Sequence, residues 1–105
     1  MSALVEFAMF PTDKGESVSA YVSRIMKIFD EKGIDYQLTP MGTIFECESV
    51  EEATGVIALA YSVLEPDCNR VYTNIKMDIR KGKSGRMKQK IASIRAHLEN
   101  PLLGR

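Results

Sequence analysis

The stretch IDYQLTPMGTIFECE, residues 34–48, decides the fold of this chain. Strand-forming residues lie on both sides of Pro-Met-Gly at 40–42, and a proline and a glycine this close together are typical of a tight turn. The pattern therefore predicts a β-hairpin over residues 34–48. Turn chemistry does not account for Thr43 and Glu46. The stretch is therefore either a hairpin that happens to carry polar side chains or one wall of a binding site.

The residues before the hairpin indicate a strand followed by a helix. ALVEFAMF, residues 3–10, is a short apolar run that ends at Pro11, as expected for a strand buried on both faces. After a polar loop, apolar residues recur at spacings of three and four, which is the period of one helix face. Ser17 is the predicted N-cap of this helix and Gly33 its C-terminal glycine. The apolar positions are Val18, Tyr21, Val22, Ile25, Ile28 and Phe29.

The residues after the hairpin indicate a helix, a strand and a last helix. Ser49 and Glu52 form a capping box in front of the first of these helices. RVYTNIKMDIR, residues 70–80, alternates apolar and polar residues, which predicts a strand. The last helix ends before Pro101. The positions predicted to face inward are Ala53, Val56, Ile57, Ala60 and Leu64 in the first helix and Met87, Ile91, Ile94 and Leu98 in the last.

This order of elements predicts an α+β fold. Strand, helix, strand, strand, helix, strand is the order of a ferredoxin-like βαββαβ sandwich, here with an added C-terminal helix, and residues 1–105 are expected to form a single domain. Two helices would cover one face of the sheet and leave the other face open. Alternation along the strands assigns to the open face the apolar residues Leu4, Ala8, Phe10, Ile44 and Tyr72 and the polar residues Glu6, Thr39, Glu46 and Asn74.

An apolar sheet face is rarely left in water, so the open face predicts a symmetric partner, sheet against sheet or edge against edge. Glu6 is the informative residue on this face because its strand neighbours are all apolar. A carboxylate removed from water needs a cation, a hydrogen-bond donor or a raised pKa. The simplest partner for Glu6 is Lys76 or Arg80 across the sheet.

Composition excludes several classes of function. The chain has 14 basic and 14 acidic residues and a formal net charge of zero, which argues against general binding of polyanions. It contains no apolar run long enough to span a bilayer and no recognisable signal peptide, so a cytoplasmic location is expected. Cys47 and Cys68 are then two reduced thiols. His97 is the only histidine, which leaves too few ligands for a metal site and no credible nucleophile–base pair, so the protein is expected not to be an enzyme.

Four motifs in order carry a family resemblance: VEFAMFP at 5–11, GESVSAYV at 15–22, YQLTPMGTIFE at 36–46 and RVYTNIKMDIR at 70–80. Together they resemble the small thiamine-binding proteins of ferredoxin-like fold. The resemblance implies a non-enzymatic cytoplasmic protein that assembles as a homotetramer, a dimer of dimers. It also implies that thiamine, or its pyrimidine moiety, binds near a subunit interface. Cys47 departs from the small residue expected after the glutamate, and it either narrows the site or faces the helices.

The side chains of these motifs suit thiamine, which carries a thiazolium cation and a flat aminopyrimidine. A carboxylate such as Glu6 or Glu46 can offset the cation or accept from the exocyclic amine. Aromatic faces favour cations and planar rings, threonine and asparagine orient a ring by hydrogen bonds, and glycine allows close backbone approach. The residues predicted to contact the ligand are Glu6, Phe7, Thr39, Met41, Gly42, Thr43, Phe45, Glu46, Tyr72 and Asn74.

The basic segment KGKSGRMKQK, residues 81–90, raises the question of a phosphate site. Its GKS has the context of a P-loop, but the required first glycine would fall at Met77, so nucleotide hydrolysis is not expected. Lys83 and Arg86, at the start of the last helix, remain candidates for holding one phosphate or sulfate. A phosphate ester of thiamine is therefore an open alternative, beside a loop whose charges are simply solvated.

Two further functions stay open on the same fold. The ferredoxin-like sheet is also that of RNA-binding domains, which stack bases on strand aromatics. The corresponding strand here, residues 70–80, has one aromatic residue and an acid, and the net charge is zero, and both points argue against an RNA- or DNA-binding module. A regulatory oligomer without a small ligand is the other alternative.

Overall fold

The computed structural model describes residues 1–99, and Pro101, predicted to follow the last helix, lies outside them. The chain forms four strands and three helices in the predicted order. In sequence these are β1 (Ser2–Pro11), α1 (Ser19–Glu31), β2 (Tyr36–Thr39), β3 (Gly42–Cys47), α2 (Val50–Ser62), β4 (Val71–Arg80) and α3 (Arg86–Glu99).

The four strands form one antiparallel sheet in the order β2-β3-β1-β4. Helices α1 and α2 pack on one face, which confirms the ferredoxin-like α+β fold. Burial alternates along β1, because every second side chain points into the helix-covered core. The buried core includes Ala3, Val5, Phe7, Met9, Ile25, Phe29, Phe45, Ala53, Ala60 and Leu64.

The opposite face has the composition that alternation predicts. Strand register pairs Glu6 with Ile44 on one side and with Lys76 on the other, so all three share the open face. The apolar residues of this face on β1 and β3 are only half-buried: Leu4, Ala8, Phe10 and Ile44.

Two of the predicted helix ends form through contacts between residues close in the sequence, and one predicted N-cap differs in the structure. Gly33 has a positive φ of 69°, and the N–H groups of Gly33 and Ile34 donate to the carbonyls of Asp30 and Phe29, which closes α1 as a Schellman motif. The side chain of Ser49 caps α2 by accepting from the N–H of Glu52 at 3.0 Å. The N-cap of α1 is Val18, without a side-chain hydrogen bond, so the prediction of Ser17 at that position was wrong.

Helix α3 lies against β3 and β1, and the prediction for its apolar face is only partly correct. Met87 is buried, but Ile94 is 61% exposed and Leu98 is 76% exposed. The first turn of α3 is held on the sheet by Arg86, and Ile91 in the next turn is half-buried. Within residues 1–99 no element covers Ile94 and Leu98. No helix of the described chain is long and apolar enough to cross a membrane.

Candidate ligand-binding site

The residues predicted to contact a ligand separate into three places. Most lie at the end of the sheet that carries the β2–β3 turn, which we call the turn end and define by residues 6–10, 39–43 and 72–76. Phe45 lies in the core, fully buried. Glu46 lies towards the opposite end of the sheet, beside the start of α3.

One cavity of about 300 Å³ lies under the β2–β3 turn. Its walls are the end of β1, the first half of α1 and the turn itself, including Val22, Met26 and residues 38–43. Most of these side chains are apolar, and the volume is at the lower end of small-molecule sites. The cavity therefore suits a small flat ring.

A second cavity, of about 360 Å³, opens on the exposed sheet face at the same end. It contains the polar groups that the first cavity lacks: Glu6, Asn74 and Lys76. The two cavities share Phe7, Ala8, Phe10 and Met41 in their walls. The turn end thus combines an apolar space with an adjacent polar one.

Glu6 is the available carboxylate of this site. Its Oε1 lies 3.7 Å from Nζ of Lys76, so the predicted pairing across the sheet is confirmed. The Lys76 side chain is 75% exposed and that of Glu6 45%, and ion pairs in such positions contribute about 0–1 kcal/mol. A ligand cation can displace this lysine at small cost.

The aromatic residues divide between the site and the core. Phe10 and Tyr72 pack against each other on the open face, with ring centroids 5.7 Å apart and ring planes tilted by 37°, and Tyr72 is 56% exposed. Phe7 and Phe45 pack edge to face on the other side of the sheet and belong to the core. Phe10, absent from the predicted set, lines both cavities, as Phe7 does.

The two threonines of the turn end have protein partners. The hydroxyl of Thr39 accepts from the N–H groups of Met41 and Gly42, at 3.2 and 3.1 Å, and donates to the carbonyl of Gly42. Thr43 is 3% exposed, and its hydroxyl lies 3.8 Å from Sδ of Met26. Thr39 therefore closes the turn, and Thr43 faces the helices.

Gly42 is required by the sheet itself. A Cβ at this position would lie 2.8 Å from the carbonyl oxygen of Phe7, closer than real Cβ atoms come. The close backbone approach predicted for a ligand is therefore made by β1. This follows from the pairing of β3 with β1, which the local sequence does not specify.

Glu46 holds the start of α3. Its Oε2 accepts from the hydroxyl of Ser2 and from the N–H of Arg86 at 2.9 Å, and its Oε1 accepts from the N–H of Met87 at 3.1 Å. Burial raises the pKa of Glu46, but the three hydrogen bonds outweigh it and lower the pKa below its usual value. The predicted contact of Glu46 with a ligand stays a prediction, and both its oxygens already have partners.

Arg86 completes this network and is 4% exposed. Its guanidinium donates to the hydroxyl of Ser2 at 3.1 Å, to the carbonyl of Ser2 at 3.0 Å and to the carbonyl of Asp78, and it pairs with the Asp78 carboxylate at 2.9 Å. Lys83 is exposed and lies in the preceding loop. Anion binding by Lys83 and Arg86 stays a prediction that this geometry does not favour.

Sequence patterns could not have found Ser2 and Asp78, since the contacts of Ser2 join residues 44 and 84 positions apart. Cys47, by contrast, was flagged, and the structure decides between its two alternatives. It faces the helices with Thr43 and Phe45 and is 9% exposed. Burial raises the pKa of its thiol to about 11, so the thiol stays protonated.

Comparison with known proteins identifies the family. The family model described as "Thiamine-binding protein" matches residues 5–95. The chain belongs to this thiamine-binding protein family. Its relatives include the UPF0045 protein YqgV of Bacillus subtilis, 38% identical over 87 residues, which cover 79% of this chain and 84% of that protein.

Solved structures of similar proteins have the same fold. The structure of a hypothetical protein from Methanocaldococcus jannaschii superposes with a TM-score of 0.76 at 29% identity, covering 89% of this chain and 95% of the other. A protein from Thermotoga maritima, described as a candidate thiamine biosynthesis/salvage protein, gives a TM-score of 0.75 at 18% identity, covering 90% and 99%. The second comparison bears on the fold alone. These solved structures thus share the sheet on which the turn end lies.

Proposed function

We propose that this protein binds thiamine, or the aminopyrimidine part of it, at the turn end, and that it does so without catalysis. The observation that carries the proposal is the pair of adjoining cavities, one apolar and one beside the loosely paired carboxylate of Glu6. The description of the family to which the chain belongs supports this choice of ligand.

The chemistry of the site matches the two halves of thiamine. The flat aminopyrimidine enters the apolar cavity under the turn, where apolar walls favour a planar ring. The thiazolium cation lies in the open-face cavity, where Glu6 offsets its charge and Phe10, which packs against Tyr72, offers an aromatic face. Asn74, in the wall of the same cavity, supplies both a donor and an acceptor.

The proposal extends to the assembly. The half-buried apolar residues Leu4, Ala8, Phe10 and Ile44 lie beside the polar cavity, and a second copy packed on this face would cover both. A homotetramer built as a dimer of dimers places the ligand at a subunit interface. The role of binding is storage, salvage or sensing in the cytoplasm, and residues 1–105 act as a single binding domain.

Isothermal titration of thiamine into the wild-type protein and into Glu6→Gln tests the proposal. Glu6→Gln keeps the shape of the side chain and removes its charge, so we expect weaker binding, by about tenfold or more, since a hydrogen bond to a charged group contributes about 1.5–3 kcal/mol. Glu48→Gln is the matched control, because Glu48 is exposed and lies outside both cavities. Equal affinity of Glu6→Gln and the wild type would place the site elsewhere.

Absence of turnover is tested separately. Thiamine and thiamine monophosphate incubated with the pure protein should be recovered unchanged by chromatography. A product whose formation is lost on changing a single residue would contradict a binding role.

A further inference from the structure

The ion pair of Glu6 and Lys76 lies between two adjoining cavities on the open sheet face. One is the open-face cavity of about 360 Å³ at the turn end, and the other, of about 290 Å³, lies further from the β2–β3 turn. Both have Glu6 and Lys76 in their walls, and the walls of the second also include Leu4, Ile44 and Asp78. A ligand that separates the pair therefore has room on either side of it.

The charges on the side of the pair away from the turn sum to a positive value. Asp78 pairs with Arg86 at 2.9 Å and with Lys90 at 3.1 Å, so two cations surround one carboxylate there. Glu46, bound to the start of α3, offsets the second cation. Lys76 then leaves this side with one net positive charge, which favours an anion.

Lys76 is the cation that such an anion would meet. Its Nζ lies 3.7 Å from Oε1 of Glu6, beyond hydrogen-bonding distance, and its side chain is 75% exposed. The guanidinium of Arg86 is buried, and its donors are directed at Ser2 and Asp78. Of the cations in residues 1–99, Lys76 is the one that lines both cavities.

We propose that Lys76 determines the ligand preference of this site, which takes a cationic ring with a phosphate on a short chain, as in thiamine monophosphate. The ring displaces the ammonium group of Lys76 from Glu6, and that ammonium group then binds the phosphate. The inference rests on the proposed function, because it requires a thiazolium ring beside Glu6.

Charge matching favours the phosphate ester over free thiamine. Free thiamine brings a positive charge to a pair that is already neutral, and it leaves Lys76 without a partner beside another cation. A phosphate monoester carries a charge of about −1.5 to −2 near pH 7, so the ring and Lys76 each have an anion to oppose. The contact between ammonium and phosphate is a charge-assisted hydrogen bond, which is stronger than a neutral one.

Calorimetric titration of thiamine and of thiamine monophosphate into the wild type and into Lys76→Gln tests this preference. The substitution removes a charge at a largely exposed position, so the variant should fold. The wild type should bind the monophosphate about tenfold more tightly than thiamine, as expected for one added hydrogen bond between charged groups. In Lys76→Gln the monophosphate should lose this advantage, whereas thiamine should bind no less tightly, because its competitor for Glu6 is gone.

Lys83→Gln is the matched control. Lys83 is exposed and lies outside both cavities, so this variant should keep the preference of the wild type. Loss of the preference in Lys83→Gln would place the phosphate at the start of α3 and overturn the inference. Weaker binding of both ligands by Lys76→Gln would do the same, since it would give Lys76 a structural role.

The wild type separates this inference from the proposed function. Thiamine binding at least as tight as that of the monophosphate, or a preference that survives in Lys76→Gln, would overturn the role of Lys76 and leave the proposed function intact. Binding of neither ligand by the wild type would refute the proposed function and this inference with it.

Discussion

The carboxylate of Glu46 accepts a hydrogen bond from the backbone N–H of Arg86 across 40 positions of sequence, so that a residue near the end of the inner strand β3 caps the last helix. The same carboxylate takes the hydroxyl of Ser2, and the Arg86 side chain returns to Ser2 and Asp78. The start of β1, the end of β4 and the first turn of α3 are thereby joined. Glu46 thus has a structural role for which no ligand is needed.

Glu46→Gln should lower the free energy of unfolding. The neutral amide is a weaker acceptor at a helix N-terminus, and loss of a cap costs about 0.5–2 kcal/mol. At about 4–8 °C per kcal/mol for a domain of this size, the melting temperature should fall by several degrees. Thermal denaturation followed by circular dichroism measures this, with Glu48→Gln as the exposed control. An unchanged melting temperature together with lost thiamine binding would assign Glu46 to the ligand instead.

The stability should also depend on pH through Glu46. Its pKa is lowered in the folded protein from an ordinary value of 4.5, so the folded state binds the proton less readily than the unfolded chain. The contribution of Glu46 is therefore fully present above pH 4.5 and is lost as the pH falls through the lower folded value. Urea denaturation between pH 7 and pH 3 should show a smaller loss for Glu46→Gln than for the wild type. If the free energies of unfolding of the two proteins fell by the same amount between pH 7 and pH 3, this role of Glu46 would be contradicted.

Gly42→Ala should destabilise the protein by about 1–3 kcal/mol, because the new Cβ would press on the carbonyl of Phe7 at 2.8 Å and neither backbone can move freely. Gly55→Ala is the matched control. Its Cβ would meet nothing within 4 Å in the interior of α2, and alanine there should stabilise by about 0.5–1 kcal/mol. Chemical denaturation of both variants measures whether the free energy of unfolding falls for Gly42→Ala and rises for Gly55→Ala. An unchanged free energy of unfolding for Gly42→Ala would show that the backbone at the turn end shifts easily to accommodate the new Cβ.

Thiamine should stabilise the fold, and the basic segment at residues 81–90 should not contribute to thiamine binding. At about a hundred times its dissociation constant, a ligand of the folded state adds about 2.7 kcal/mol. Lys83→Ala should keep this thermal shift, because Lys83 is exposed and lies outside both turn-end cavities. Glu6→Gln should reduce it at equal thiamine concentration. Loss of the shift in Lys83→Ala but not in Glu6→Gln would move the site to the start of α3.

Local patterns in the sequence determined most of the fold. Alternation with a period of two assigned Glu6, Phe10 and Asn74 to the open face correctly, because strand side chains point to opposite faces in strict order. The Ser49 cap and the glycine at 33 placed helix ends through contacts within a few residues. The turn at 40–42 was equally local.

Only the tertiary structure decided which predicted site residues act together. Glu6 and Glu46 have the same chemistry and lie on the same sheet face. Glu6 is loosely paired with the largely exposed Lys76, whereas both oxygens of Glu46 accept hydrogen bonds from Ser2 and the start of α3. Those partners lie 40 or more positions away, and no periodicity encodes such pairs. The exposure of Ile94 and Leu98 could not be predicted for the same reason. The spacing of residues in a helix predicts an apolar side, but only the tertiary packing shows whether another element covers that side.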